Sequence, residues 1–148
     1  MQTEKLKEMF YKYNLVKDTD VFRHQHFVIL TRSGIEKIMA QELITVRFEV
    51  VVSEPNFAGV KAIATKDDKT IETYGSALKG EGFKDGNCNT WYVLEMAEKR
   101  ALARSILKLL NLYEINVKSE DEAEDFKKSN NTEPHRHQKG QDYGDGTF

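Results

Sequence analysis

Thr90–Tyr113, TWYVLEMAEKRALARSILKLLNLY, constrains the fold more than any other stretch of the chain. It lies inside the longest run without Gly or Pro, and Ala, Leu, Met, Glu, Lys and Arg dominate it. The backbone there meets no breaker and has high helical propensity, so one long helix is expected over 90–113, capped by Asn89 or Thr90. At 100° per residue, Arg100, Arg104, Lys108 and Asn111 fall on one stripe, which makes a cationic ridge. Leu94, Ala101, Leu102, Ser105, Ile106, Leu109 and Tyr113 gather on a second face, and Met96, Ala103, Leu107 and Leu110 on a third. Two apolar faces need two things to pack against, such as the chain's own sheet and a further element or a neighbouring copy. The ridge itself has two readings, a solvated helix face or a site for a polyanion.

The rest of the chain supplies the sheet. In 44–53, Ile44, Val46, Phe48, Val50 and Val52 alternate with Thr45, Arg47 and Glu49, a period of two that predicts a half-buried strand. Pro55-Asn56 and Asp67-Asp68-Lys69 are turn signals, and they set strands over 57–66 and 70–79. Short turns between consecutive strands imply an antiparallel meander. In the last strand Ile71, Thr73, Gly75 and Ala77 share a face that is small where a helix must cross, and Gly75 marks a close backbone approach. The long helix is the expected visitor. Ahead of the meander, 27–30 reads as a short strand. Ser33-Gly34-Ile35-Glu36 reads as a capping box opening a helix to about Leu43, with Ile35, Ile38, Met39 and Leu43 inward. Lys5–Tyr13 is amphipathic, with Leu6, Met9, Phe10 and Tyr13 at helical spacing, and predicts an N-terminal helix over about 4–13. The fold class expected is therefore α+β: a three-stranded antiparallel β-meander (a β-β-β-α core) packed by one long helix and preceded by a short strand and helix.

Composition bounds what such a chain does. With 148 residues, 39% of them hydrophobic, it supports one domain, expected over 1–118, plus a tail. Ser119–Lys128 reads as a short acidic helix, and 129–148 is polar enough to be disordered. Net charge is −2, yet it is unevenly spread: 18 Lys and Arg face 16 Asp and Glu up to residue 118, and 4 face 8 beyond it. A weakly positive body binds nucleic acid only by concentrating its cations in a groove or repeating a patch around an oligomer. Cys88 is the single cysteine, so neither an internal disulfide nor a thiolate zinc cluster is available, as in a reducing cytosol. No apolar run is long enough to span a bilayer and the start MQTEKLKEMF is charged throughout, which points to a cytoplasmic protein. His24-x-His26 lacks a third ligand at motif spacing, so no metal is expected. GEGFKDGNCN (80–89) is glycine-rich without the phosphate-loop arrangement, so no nucleotide cofactor is expected. Trp91 and Tyr92 stand at the helix start either as packing anchors or as rings for base stacking.

Tyr74-Gly75-x-Ala77, the turn with Gly80 and Gly82, and then Glu98-Lys99-Arg100-Ala101-Leu102 with Arg104-Ser105 together resemble the Rad-fifty-two single-strand annealing superfamily, including its phage Sak, Erf and DdrA-like branches. The likeness covers roughly residues 22–113, and Glu95–Arg104, EMAEKRALAR, is similar to the helix opening of phage members. The resemblance implies a β-β-β-α core that assembles into rings or short filaments and lays one DNA strand along a positive outer groove. By that likeness Lys99, Arg100 and Arg104 contact phosphates. One more residue separates Arg100 from Arg104 than in the family, a rotation of about 100°. Lys108 continues the stripe, Arg23 and Arg32 flank the first strand as an opposing wall, and Arg47 and Lys61 line the exposed sheet face.

The function expected is an oligomeric, ATP-independent single-stranded-DNA-binding and annealing protein of phage or prophage recombination. It acts without catalysis in the cytoplasm of a bacterium or phage-infected host. Asp142–Phe148 resembles the acidic tips by which single-strand-binding proteins recruit replication or recombination partners. Two other readings stand beside it. One is a metal-dependent nuclease using Glu49 and Glu72 with Lys61 or Lys79. The other is a protein-interaction module whose helix stripe meets an acidic partner.

Overall fold

The computed structural model describes residues 2–80, 86–88 and 91–122. The fold is α+β, with two three-stranded sheets and three α-helices among those residues. Within the expected 1–118 core the chain divides into two compact units, one from the residues up to Gln41 together with those from Asn111 on, the other from Glu42–Leu110. The expected tail, 129–148, and most of 119–128 lie outside the described residues, as do Asn89 and Thr90.

The first unit holds α1 (Gln2–Tyr13), β1 (Val21–His24), β2 (Phe27–Leu30), α2 (Arg32–Gln41), a 3-10 turn (Leu112–Ile115) and β6 (Val117–Ser119). Its sheet runs β1-β2-β6, antiparallel across β1/β2 and parallel across β2/β6. Met9, Tyr13, Val28, Ile29, Leu30, Ile35, Ile38 and Val117 are buried in it. The polar centre is Asp20, 0% exposed. Its carboxylate accepts from the Val16 N–H at 2.8 Å, from the Ser33 hydroxyl at 2.6 Å and from Lys37 Nζ at 2.6 Å, while its carbonyl accepts from the Thr31 N–H at 2.9 Å. Burial works against the Asp20 charge, but the bonds from Lys37, Ser33 and Val16 outweigh it and hold the carboxyl below its usual range. Gly34 belongs to the same arrangement, because any Cβ there would run into the Asp20 carbonyl oxygen.

Asp20 also explains why the expected capping box does not form. Ser33 spends its hydroxyl on the Asp20 carboxylate, and Thr31 caps α2 instead, its Oγ1 accepting from the Gly34 N–H at 3.3 Å. The helix ends at Gln41, so Leu43 is not on its inner face. It sits in the left-handed region at φ 57°, 82% exposed.

The second unit is the meander β3 (Thr45–Glu54), β4 (Phe57–Lys66) and β5 (Lys69–Leu78), crossed by α3 (Val93–Leu109). Both ladders are antiparallel and follow the turns read in the sequence. The core between sheet and helix is built of small side chains: Ala58, Val60, Ala62 and Ala77 from the sheet against Val93, Ala97 and Ala101, with Cys88 beside them. Val93, Ala97 and Ala101 form an i, i+4 ridge, the row a helix uses to lie closely on another surface. Gly75 is where the two backbones meet. A Cβ there would stand 2.5 Å from the Ala97 carbonyl oxygen and closer still to the Ala101 nitrogen. Thr73 Oγ1 donates to the Ala101 carbonyl at 2.9 Å and fixes the crossing point.

In this unit β3 and α3 differ from expectation. The period of two in β3 breaks at a bulge between Val50 and Val52. Val46 and Phe48 pack toward the helix, but Val52 pairs with Gly59 on the opposite side, and Val50 and Val51 are exposed. One extra residue reverses every side chain after it. The long helix is shorter at both ends than 90–113. It starts after Tyr92, which makes no side-chain cap bond, and stops at Leu110 because Asn111 takes a left-handed conformation at φ 59°. Asn is the residue other than Gly that best tolerates that turn. Tyr113 therefore lies in the 3-10 turn rather than on α3.

Two consequences are measurable. Gly75→Ala forces an overpacked contact between two backbones, and a loss of about 2–3 kcal/mol is expected in urea unfolding. Asp20 is held below the roughly 3.9 of an unfolded aspartate, so its contribution is complete above about pH 4 and is lost as pH falls through the lowered folded value. Asp20→Asn should be less stable than the parent at pH 7, by about 1–3 kcal/mol. The gap between their urea midpoints should narrow as pH falls below about 4.

Candidate nucleic-acid interface

Within the second unit, the basic side chains read from the sequence fall on two faces, the helix and the opposite side of the sheet. On α3, Arg104 and Lys108 are exposed and Lys99 is half-buried. From Lys99 to Leu109 the helix carries four cations and no carboxylate, its two acids, Glu95 and Glu98, lying in the preceding turns. Positive charge therefore accumulates toward the C-terminal half.

Arg100 differs from its neighbours. Its Nη1 donates to the Ser76 carbonyl at 2.9 Å and its Nη2 to the Asn87 carbonyl at 2.7 Å. Asn87 in turn accepts from the Leu78 N–H through Oδ1 at 2.7 Å and donates its own N–H to the Leu78 carbonyl at 2.9 Å. The guanidinium thus ties α3 to the end of β5 and to the segment at 86–88. Those donors serve main-chain carbonyls of the protein itself, which makes Arg100 a clamp before anything else.

Arg47 and Lys61 belong to the face of the sheet opposite α3, because Lys61 alternates with Val60 and Ala62, which pack under the helix. There they are paired. Arg47 Nη1 lies 2.9 Å from Glu49, and Lys61 Nζ lies 3.6 Å from Glu49 and 3.3 Å from Glu72. The hydrogen bond from Arg47, with Lys61 nearby, lowers the Glu49 carboxyl, and the bond to Glu72, followed by its charge, raises the Lys61 ammonium. Two cations and two carboxylates cancel, so this face is a balanced charge ladder with Tyr74 exposed alongside it. Arg23 and Arg32 lie in the first unit. Arg23 is exposed on β1, and Arg32 pairs its Nε with Glu36 at 2.8 Å while its N–H donates to Glu120 at 3.0 Å.

One contributor escaped the sequence reading. Lys69, the first residue of β5, donates its ammonium to the Leu109 carbonyl at 3.1 Å, which places it at the C-terminal end of α3, the turn that also carries Lys108. A basic residue right after a tight turn, on the strand face that the helix covers, was the available signal. The histidine pair separates, with His24 buried and His26 exposed. Among the described residues no three His, Cys, Asp or Glu side chains gather as metal ligands, and no helix is long and apolar enough to cross a membrane. Trp91 is not an internal packing anchor: it is 76% exposed. No family model, curated protein or solved structure matches the chain.

The two arginines of the stripe should separate on substitution. Arg100→Ala removes charge-assisted bonds to two carbonyls and should lower stability by about 1.5–3 kcal/mol, whereas Arg104→Ala should stay within about 0.5 kcal/mol of the parent. Urea midpoints of the two variants make the comparison.

Proposed function

We propose that this chain is an oligomeric single-stranded-DNA-binding and annealing protein that works without catalysis or ATP. Its setting is phage or prophage recombination in the cytoplasm of a bacterium or infected host. The observation that carries the reading is the second half of α3, where Arg104, Lys108 and Lys69 accumulate with no carboxylate in that half of the helix, standing on a β-β-β-α unit of the kind the resemblance implies. A strand held there is gripped through its phosphates, an affinity independent of sequence. Annealing needs nothing more from each subunit than that grip with the base edges left uncovered, and pairing itself then supplies specificity. A patch of three cations is weak alone, and repetition around a ring or along a filament multiplies it. In this reading Arg104, Lys108 and Lys69 touch phosphate and Lys99 supports them. Arg100 holds the scaffold, and Arg47 and Lys61 are left to their carboxylate partners.

Purified protein should bind single-stranded oligonucleotides with an affinity that falls steeply with salt, the log–log slope losing about 0.7 for each phosphate contact removed. It should anneal complementary strands without ATP. Replacing Lys99, Arg104 and Lys108 together by Ala should abolish annealing while leaving the urea midpoint near that of the parent. Unchanged annealing at matched stability removes the site. Cleavage of the oligonucleotide in magnesium or manganese, lost in Glu72→Gln, replaces the proposal with a nuclease, and indifference to single-stranded DNA leaves a protein-interaction module. Size in solution with and without a long oligonucleotide tests the assembly.

A further inference from the structure

Trp91 and Tyr92 are adjacent aromatic residues that are both exposed, at 76% and 45%. They stand where α3 begins, and the Tyr92 carbonyl already accepts the Met96 N–H of the first turn at 3.3 Å. The pair is thereby fixed to the helix that carries the cations. Leaving an indole in water forgoes the apolar burial that a ring of 150–250 Å² ordinarily supplies. Contiguous exposed apolar surface is where soluble proteins meet ligands and partners.

The ring geometry says what fits. The two centroids are 5.4 Å apart and the planes meet at 74°. Two parallel rings would sandwich a flat ligand. Two nearly perpendicular rings in edge contact leave an open shelf, on which one planar group lies against one ring with its edge toward the other. Tyr92 and Lys99 are seven residues apart, two helical turns, and so lie on one side of α3 about 10 Å from each other. A flat, uncharged ring joined to an anionic backbone matches that combination, and a nucleobase in a single strand is such a group.

We infer that Trp91, with Tyr92 as the side wall, stacks one unpaired base of a strand whose phosphates lie along α3. This rests on the proposed function and assigns its base-contacting element. A stacked base is held by its face alone, so its pairing edge stays available to a complementary strand.

Trp91 is the only tryptophan in the chain, so indole emission reports on this position alone. Titration with a short thymidine oligonucleotide should quench it, and a duplex of the same length should quench it less. Trp91→Ala should weaken single-strand binding by roughly 5- to 150-fold, the range set by one stacked base, and Trp91→Phe by less. An oligonucleotide of equal length whose sugars carry no bases should bind the parent protein about as weakly as the ordinary one binds Trp91→Ala. This comparison decides the matter even if that variant fails to fold. Binding seen by anisotropy of a labelled strand, with silent indole emission and equal affinity for the base-free strand, overturns the stacking role and leaves the proposed function standing. Absence of any binding overturns the proposed function itself. Emission that shifts with protein concentration and ignores the oligonucleotide assigns the shelf to a second copy and also overturns the inference.

Discussion

The second unit depends on one contact, the passage of the α3 backbone over β5 at Gly75. A helix with ordinary side chains beneath it sits 8–10 Å from its neighbour, and here the absence of a side chain at Gly75 and the alanines around it bring main chain to main chain. The consequence is geometric. With so little material between them, helix and sheet have few alternative arrangements, and Thr73 and Arg100 then lock the crossing from two directions by bonding to carbonyls on the opposite element. A core of alanines contributes less apolar burial than one of leucines, so polar bonds across the contact carry more of its specificity.

That placement determines how the helix presents charge. Because Val93, Ala97 and Ala101 face the sheet along an i, i+4 row, the contact drifts around α3 by about 40° per step. Residues on the same nominal stripe are consequently covered early in the helix and open late. Ala97 is buried and Arg104 and Lys108 are exposed, though all lie within a narrow sector of the helical wheel. The cationic end of α3 is thus a product of the crossing, and the acids at its beginning suit the positive end of the helix dipole as the bases suit the negative end.

Much of the second unit was legible in the residues. Turn residues set β4 and β5 and their connection, and Gly75 among Thr73 and Ala77 announced the close approach. What was not legible depended on partners distant in sequence or on a single backbone torsion. Ser33 looked like a cap until Asp20, 13 residues earlier, took its hydroxyl. The bulge at Val51 left no mark in a run of three valines, and Asn111 ended a helix that propensity would have extended. In the candidate site, the charges were legible and their engagements were not. Arg100 is occupied by carbonyls 24 and 13 residues away, and the cations on the outer sheet face are answered by carboxylates on neighbouring strands. Alternation does put Lys61 beyond the helix's reach, a separation visible in the sequence once the helix-facing side of β4 is identified.

The outer rim of β5 has a further consequence. Bonds from Arg100 to the Ser76 carbonyl and from the 87–88 segment to Leu78 show that the even-numbered residues turn their main-chain groups away from β4. In a strand that orientation persists every second residue, so Thr70, Glu72 and Tyr74 turn their N–H and C=O groups to the same side, in a strand without a bulge. In a three-stranded meander the two outermost strands also run in the same direction. Copies related by simple translation, β5 rim to β3 rim, would therefore meet through parallel seams, and a pair joined β5 rim to β5 rim about a two-fold axis would meet through an antiparallel one.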